Sequence, residues 1–281
     1  MRIDPATGSI RQTLVASRVL GDEISVSPDH STVYYAQRSG CDAEIKSIST
    51  GGGTPTSIAP GQLPAISPDG AKLAFARQPL LTPGCLPNQP NLASLFKVVI
   101  HTLPAGSETV LSVSPQVQSS GLFAPISHLS WEADNVRLAV STTAVQDNEG
   151  WALSIVDTSA APYYVRPGPG VTAVSVTGSP DAQGSYIREG IFLPNGNLFI
   201  SRACCGGVPI HNTSRLMWEV TPSGAFVHQV AIGYPDLEHV SLAASATGRF
   251  LLYLAGSDLY VSENGKRPSK LASGMIAATW M

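Results

Sequence analysis

Short apolar runs alternate along the chain with tight polar turns. In the clearest copy, the turn Ser27-Pro28-Asp29-His30 separates two runs rich in Val, Ile and Tyr, and Ser67-Pro68-Asp69-Gly70 does the same further on. Pro fixes φ at the first central turn position, Asp caps the turn, and Gly accepts a positive φ. Because β-branched and aromatic residues favour strands, each copy predicts a β-hairpin.

Weaker copies of this hairpin indicate a repeat. They open at Leu129, Ile191 and Leu242, and a sixth opening, Met275–Trp280, comes near the end of the sequence. A third apolar run follows each full hairpin, and these runs are Glu44–Ile48, Lys97–His101, Ala152–Val156, Leu216–Val220 and Asp258–Ser262. A fourth run follows, for example at Glu108–Leu111 and Ala225–Val230. Four antiparallel strands repeated about every 40 to 60 residues describe the blades of a β-propeller.

The two ends of the chain are expected to share one blade. Met1–Gly8 and Ile10–Val15 have the pattern of a third and a fourth strand, and Ile276–Trp280 has that of a first strand. Joining them would hide strand edges that otherwise invite aggregation. The second strand of this blade is not visible, so the blade has three strands or takes one from residues before Met1.

We therefore predict an all-β protein, a six-bladed β-propeller of four-stranded antiparallel blades, closed by N- and C-terminal strands in one blade. The whole chain, 1–281, is expected to form a single domain. The expected blades are 22–60, 61–115, 122–168, 171–233 and 237–273, with a closing blade made of 274–281 and 1–18.

The Ser-Pro-Asp turns at Ser27 and Ser67 resemble the repeat of TolB-like propellers, also known as the PD40 or WD40-like repeat. Trp131 and Trp280 stand where that repeat often carries Trp. The resemblance extends over nearly the whole chain and is specific in two copies. It implies an extracytoplasmic sensor or binding propeller, for instance the docking part of a larger membrane-anchored protein. It identifies architecture better than activity.

Charge and hydropathy exclude several classes of partner. The net charge is -3 and the pI is near 6.0, so the chain lacks the basic footprint of a nucleic-acid-binding protein. No uninterrupted apolar stretch reaches the roughly 18 residues of a transmembrane segment. The first residues also lack the apolar region of a signal peptide. We expect a monomer, with any membrane tether in a region outside this sequence.

Alignment of the repeats on their turns places one residue of each unit at the entrance of its first strand. This ring consists of Glu23, Leu63, His128, Glu189, Ser241 and Ala277. Because the first strands of propeller blades line the central channel, the ring is expected at one channel mouth. We predict ligand-binding roles for Glu23, His128, Arg188, Glu189 and His239. The alternative is that channel water solvates these groups without a specific partner. Leu63 and Ala277 interrupt the ring, which argues against a catalytic metal, and no cofactor is expected.

Four cysteines carry a second prediction. Cys41 and Cys85 both fall between the second and third strands of consecutive units, on the same face. They are candidates for a disulfide, which requires Cβ atoms within roughly 4 Å; the alternative is two thiols. Cys204 and Cys205 are candidates for a vicinal disulfide. If both bridges form, the compartment is oxidising and lies outside the cytoplasm.

The sequence carries no phosphate-binding loop, nucleophile elbow or HExxH helix, and we assign no catalytic residue. We predict a non-enzymatic extracytoplasmic binding or sensor propeller that recognises a protein, a peptide or a small ligand. One alternative is a lactonase-like, metal-dependent hydrolase or lyase with its site in the channel. Another is the accessory propeller of a serine peptidase. The long insertions Gln78–Leu95 and Arg202–Arg215 either carry recognition or cover blade edges.

Overall fold

The regular structure of the chain is almost entirely β. A computed structural model describes residues 2–3, 9–14, 19–80, 82, 84–86, 93–115, 125–143, 152–160, 163–165, 170–177, 185–204, 217–231, 239–263, 266–276 and 278–280. Within these residues there are 22 strands and one short 3₁₀ helix, Ala93–Leu95. No helix of the described part is long and apolar enough to cross a membrane.

Twenty of the strands form five antiparallel sheets, each a meander of four consecutive strands. Blade 1 consists of β3 (Val19–Val26), β4 (Thr32–Ser39), β5 (Asp42–Ser49) and β6 (Thr56–Pro60). Blade 2 consists of β7 (Gln62–Ile66), β8 (Lys72–Arg77), β9 (Lys97–Thr102) and β10 (Glu108–Ser112). Blade 3 consists of β11 (Ile126–Trp131), β12 (Arg137–Thr142), β13 (Ala152–Asp157) and β14 (Val171–Val174). Blade 4 consists of β15 (Ser185–Phe192), β16 (Leu198–Cys204), β17 (Met217–Val220) and β18 (Phe226–Ala231). Blade 5 consists of β19 (His239–Ala244), β20 (Phe250–Ala255), β21 (Asp258–Glu263) and β22 (Ser269–Ala272).

The first turn of every blade has one geometry. Its last position has a positive φ between 55° and 85° in all five blades, at His30, Gly70, Asn135, Gly196 and Gly248. A backbone hydrogen bond closes each turn, as from His30 N to Ser27 O at 2.8 Å. The predicted hairpins are therefore confirmed, including the copies that have lost the Ser-Pro-Asp signature.

Apolar clusters between successive blades hold the sheets together. The largest joins blades 2 and 3 around Phe96, Trp131 and Tyr164, and similar clusters join the other successive pairs of blades. Two buried hydrogen bonds cross the largest cluster: Trp131 Nε1 donates to Ala65 O at 3.0 Å, and the Tyr164 hydroxyl donates to Phe96 O at 2.8 Å. The packing is close, because a methyl group on Gly190 would lie 2.5 Å from Leu153 Cδ2.

The prediction of six blades is wrong: the described residues form five four-stranded blades. The N-terminal residues pair as a separate two-stranded ribbon, β1 (Arg2–Ile3) with β2 (Ile10–Gln12). The C-terminal stretch 273–280 is irregular where it is described. Met275, Ala278 and Trp280 pack on the face of blade 5 that is turned away from blade 4, and Leu14 packs on the face of blade 1 that is turned away from blade 2. Apolar contact, rather than a strand ladder, thus covers both free faces.

Candidate functional site

A cavity of about 550 Å³ lies at the centre of the ring of blades. Its walls come from the first strands of all five blades and from Ala278–Trp280. The first strands are therefore the inner strands, as the repeat pattern predicts. The second residue of each four-residue turn is exposed and forms the rim of the opening. These rim residues are small and apolar: Pro28, Pro68, Ala133, Pro194 and Ala246.

The cavity wall carries no Asp, Glu, Lys or Arg side chain among the described residues. Its apolar part includes Leu129, Trp131, Ile191, Leu242 and Trp280. Its polar part consists of hydroxyl and imidazole groups, from Ser25, His30, Ser67, His128, Ser130, Ser241, Ser245 and Thr279. Such a wall suits a ligand with an uncharged body and a few oriented polar groups.

The structure brings two of the predicted site residues together at the end of the cavity away from the turns. His128 Nδ1 in blade 3 lies 3.9 Å from Glu189 Oε2 in blade 4, and both side chains are buried. His128 lines the cavity and Glu189 does not. Glu189 Oε2 also accepts a long hydrogen bond, 3.4 Å, from Leu242 N in blade 5. Glu189 thus stands behind His128 and links three blades.

Burial dominates the electrostatics of this pair. It raises the pKa of Glu189 above the ordinary value, because a carboxylate in the interior loses its hydration. The positive charges of His128 and Arg188, and the N–H groups of Leu242 and Ser241, act in the opposite direction. A buried carboxyl group with a raised pKa next to an imidazole is a common feature of functional sites.

The inner strands owe this arrangement to irregular pairing. In each blade the ladder between the first and second strands is interrupted near the ring position, for example between Ile126 and His128 and between Ile187 and Glu189. Leu63 and Ser241 have positive φ values of 58° and 55° at the same place. β-Bulges re-aim side chains, so these interruptions set where the ring residues point.

The remaining predicted site residues are placed less completely. Arg188 follows Ile187 in β15, is half-buried, and acts on Glu189 through its charge. Glu23 lies in β3 and His239 in β19, and their side chains lie outside the described part. Ala277 is also outside it. Among the described residues, no group of three or more His, Cys, Asp and Glu is placed to hold a metal ion.

Sequence reasoning missed the hydroxyl groups that join neighbouring inner strands. Ser25 Oγ accepts from Ile66 N at 3.0 Å, and Ser130 Oγ accepts from Phe192 N at 3.1 Å. Both serines occupy the second position before the turn in their blades, and both line the cavity. That shared position, two residues before the turn, was the signal available in the sequence.

Three carboxylates, one each on blades 1, 2 and 3, follow the rim residues in sequence. Hydrogen bonds from Ser27 and Ser31 lower the pKa of Asp29 to about 2, and equivalent bonds from Ser67 and Ala71 lower that of Asp69. Burial acts to raise the pKa of Asp134, but hydrogen bonds from Arg137 and Val136 outweigh it and the pKa is lowered. These carboxylates cap their turns and are ionised at physiological pH.

The cysteine prediction is confirmed for one pair. Cys41 and Cys85 form a disulfide with a Cα–Cα distance of 5.1 Å. It joins the β4–β5 turn of blade 1 to the β8–β9 loop of blade 2. The predicted vicinal pair falls on Cys204, described only as part of β16, and on Cys205, which lies outside the described residues. Most of the insertion Arg202–Arg215 also lies outside them.

The insertion Gln78–Leu95 is anchored at its first residue. Gln78 donates from Nε2 to Ile126 O at 2.9 Å and accepts from Ile126 N at 2.8 Å. This amide therefore completes the end of the inner strand of blade 3. The start of the insertion is part of the contact between two blades.

Comparison with solved structures shows the fold: the chain folds as a β-propeller of the TolB-like kind. It superposes on TolB from Acinetobacter baumannii with a TM-score of 0.60 at 14% identity, over 94% of this chain and 57% of that one. It therefore spans less than two thirds of that protein. A putative TolB from Agrobacterium tumefaciens gives 0.59 at 13% identity, over 91% and 84% of the two chains.

Enzymes share the architecture. An oligogalacturonate lyase from Vibrio parahaemolyticus matches with a TM-score of 0.54 at 10% identity, over 92% of this chain and 67% of that one. No protein-family model and no curated protein matches the chain. At such low identities the likeness establishes the fold alone, because one fold hosts many functions.

Proposed function

We propose that this propeller is a non-enzymatic binding domain that acts outside the cytoplasm. It recognises a protein or peptide by taking an uncharged, apolar segment into the axial cavity. The observation that carries this proposal is the cavity itself, about 550 Å³ with walls from all five blades. That volume is within the ordinary range of ligand sites, roughly 300 to 1,000 Å³.

The chemistry of the wall selects the segment. A charged group that entered would lose its hydration without meeting an Asp, Glu, Lys or Arg side chain on the described wall, and such transfers are strongly unfavourable. Trp131 and Trp280 offer aromatic surface instead, and His128 offers one polar contact at the far end. An apolar or aromatic side chain with a neighbouring peptide group fits these features best.

The disulfide between Cys41 and Cys85 supports the location. Such bonds persist mainly in oxidising compartments and are rare in the cytosol. The bond therefore supports a secreted, periplasmic or surface-exposed location for the protein.

An enzymatic alternative has one observation in its favour, the buried pair His128 and Glu189. A pair of this kind suits proton transfer to a substrate held in the cavity. A hydrolase or lyase of this type would lose turnover in the variant Glu189→Gln. A binding domain would keep its affinity for the same ligand, because Glu189 does not line the cavity.

The proposal is tested with a neutral solvatochromic naphthalene dye and a library of random displayed heptapeptides. We expect saturable binding of one dye per chain, and selected peptides enriched in uncharged apolar residues. Ala246→Trp fills the rim from an exposed position, so it is expected to abolish both kinds of binding without disturbing the core. Val227→Trp, on the exposed face of β18, is the matched control. Peptides that bind Ala246→Trp as well as wild type would refute the cavity as the site.

A further inference from the structure

The disulfide joins two loops at the face opposite the hairpin turns. Cys41 lies in the β4–β5 turn and is exposed, whereas Cys85 is half-buried in the β8–β9 loop. A thiolate from solvent therefore reaches the sulfur of Cys41 more readily than that of Cys85. Access is one of the properties that decide which sulfur of a disulfide is attacked.

A guanidinium group makes the two sulfurs electrostatically different. Arg38 Nε donates to Gly40 O at 2.7 Å, and Nη2 donates to Thr82 Oγ1 at 3.3 Å. These bonds hold the guanidinium between the two loops, with Nη2 3.9 Å from Cys85 Sγ. A positive charge thus lies beside Cys85.

The other sulfur has the opposite surroundings. Gly84 O, the negative end of a peptide dipole, lies 3.9 Å from Cys41 Sγ. Negative charge on a departing sulfur is therefore opposed at Cys41 and favoured at Cys85. A nearby arginine stabilises a thiolate, and the better stabilised thiolate is the better leaving group in disulfide exchange.

We propose that Cys41–Cys85 is a site of directed thiol–disulfide exchange, attacked at Cys41 and released at Cys85. The reagent is a dithiol reductant. Its thiolate forms a new S–S bond with Cys41 Sγ while the Cys41–Cys85 bond breaks, and the electron pair leaves on Cys85 Sγ beside Arg38. The second thiol of the reagent, deprotonated, then attacks its own mixed-disulfide sulfur and releases the Cys41 thiolate. The protein gains two electrons, and the reagent leaves as a cyclic disulfide.

The exchange has a structural consequence. The disulfide is the covalent link between the β8–β9 loop and blade 1. After its reduction, the hydrogen bond from Arg38 Nη2 to Thr82 Oγ1 still joins the described part of the loop to blade 1. Reoxidation by a disulfide of the same class reverses both steps. The bond therefore cross-links two blades and can also be reduced and reformed by a redox partner.

The first test traps the direction of attack. The oxidised protein is treated with a limiting amount of a small monothiol, such as 2-mercaptoethanol, quenched in acid, alkylated and mapped by mass spectrometry. We expect the mixed disulfide on Cys41 and the alkylated thiol on Cys85, in a ratio of at least about ten to one. An equal distribution, or an excess of adduct on Cys85, would overturn the proposal.

The second test measures the contribution of Arg38. We expect Arg38→Gln to slow reduction by dithiothreitol at least about threefold at neutral pH, and Arg38→Lys to slow it less. The control is Arg77→Gln, which removes the same charge from an arginine paired with Glu108 on blade 2. If Arg38→Gln and Arg77→Gln reduce at the same rate, the guanidinium has no role. The trapping result in the wild type decides the direction even if an Arg38 variant fails to fold.

Discussion

Removal of the disulfide offers the most quantitative check on how the first two blades are held together. The perturbation is the double substitution Cys41→Ser with Cys85→Ser, which removes the bond and leaves no single thiol at the site. The two cysteines are 44 residues apart. In the chain-entropy treatment, opening a loop of this length raises the entropy of the unfolded chain by about 13 cal/mol/K. At 25 °C this is a loss of stability of about 4 kcal/mol.

The corresponding change in melting temperature follows from the length of the chain. An unfolding entropy of about 2.1 cal/mol/K per residue, over 281 residues, amounts to about 0.6 kcal/mol/K. A loss of about 4 kcal/mol then lowers the melting temperature by about 7 °C. The measurement is thermal unfolding followed by far-UV circular dichroism, with and without reductant.

Two comparisons make the result decisive. Reduced wild type and the double variant should melt at the same temperature, and reductant should not change the melting of the variant. A melting temperature within about 1 °C of oxidised wild type would refute the reasoning. It would mean that residual structure already constrains the unfolded chain without the bond, or that the bond strains the native state by an offsetting amount.

Two further predictions concern the contacts around the cavity. Trp131→Phe leaves Ala65 O without its indole donor and should reduce the free energy of unfolding by about 1 to 3 kcal/mol. The buried Nε1 of Trp280 makes no hydrogen bond in the described structure. Trp280→Phe should therefore reduce the free energy of unfolding less. Urea denaturation of both variants checks the order, and equal losses would contradict it. Burial raises the pKa of Glu189 above 4.5, so its contribution to stability is present below that pH and is lost as the pH rises through the raised pKa. The free energy of unfolding of wild type relative to Glu189→Gln should therefore be larger near pH 4.5 than near pH 7.5, and a difference that does not vary with pH would contradict the assignment.

The hairpins were predictable because their determinants are local. The last position of each turn has a positive φ and needs a residue that tolerates it. Gly70, Asn135 and Gly196 are such residues, so the turns are recognisable from the sequence. The alternation of apolar residues on either side predicts the strands without knowledge of distant contacts. The pairing of Cys41 with Cys85 followed from the same local reasoning, since both occupy the same loop in consecutive repeats.

The burial of the candidate site was less accessible to sequence reasoning. Glu189 was expected at a channel mouth, and it lies instead behind His128, with its carboxylate directed to the backbone of Leu242. An alternating pattern does not reveal a bulge, because a single extra residue changes the register without changing composition. The side of the sheet on which Glu189 and Ser241 end up is therefore a property of the assembled blades.

The sixth opening of the repeat shows how a pattern can be right about position and wrong about structure. In blade 5, Leu242 N donates to the ring residue of the preceding unit, Glu189. The same contact recurs one unit later, where Ala278 N donates to Ser241 Oγ at 3.0 Å. Because Ala278 follows the ring position of its unit as Leu242 does in blade 5, the segment occupies the place of the next inner strand. The C-terminal segment does not form a β-ladder there, since no second strand pairs with it among the described residues. Contacts between neighbouring units thus set the place of a segment around the propeller axis. A blade also requires a second strand that pairs with the first in a hairpin. Met275–Trp280 encodes the contacts with its neighbour but not the hairpin.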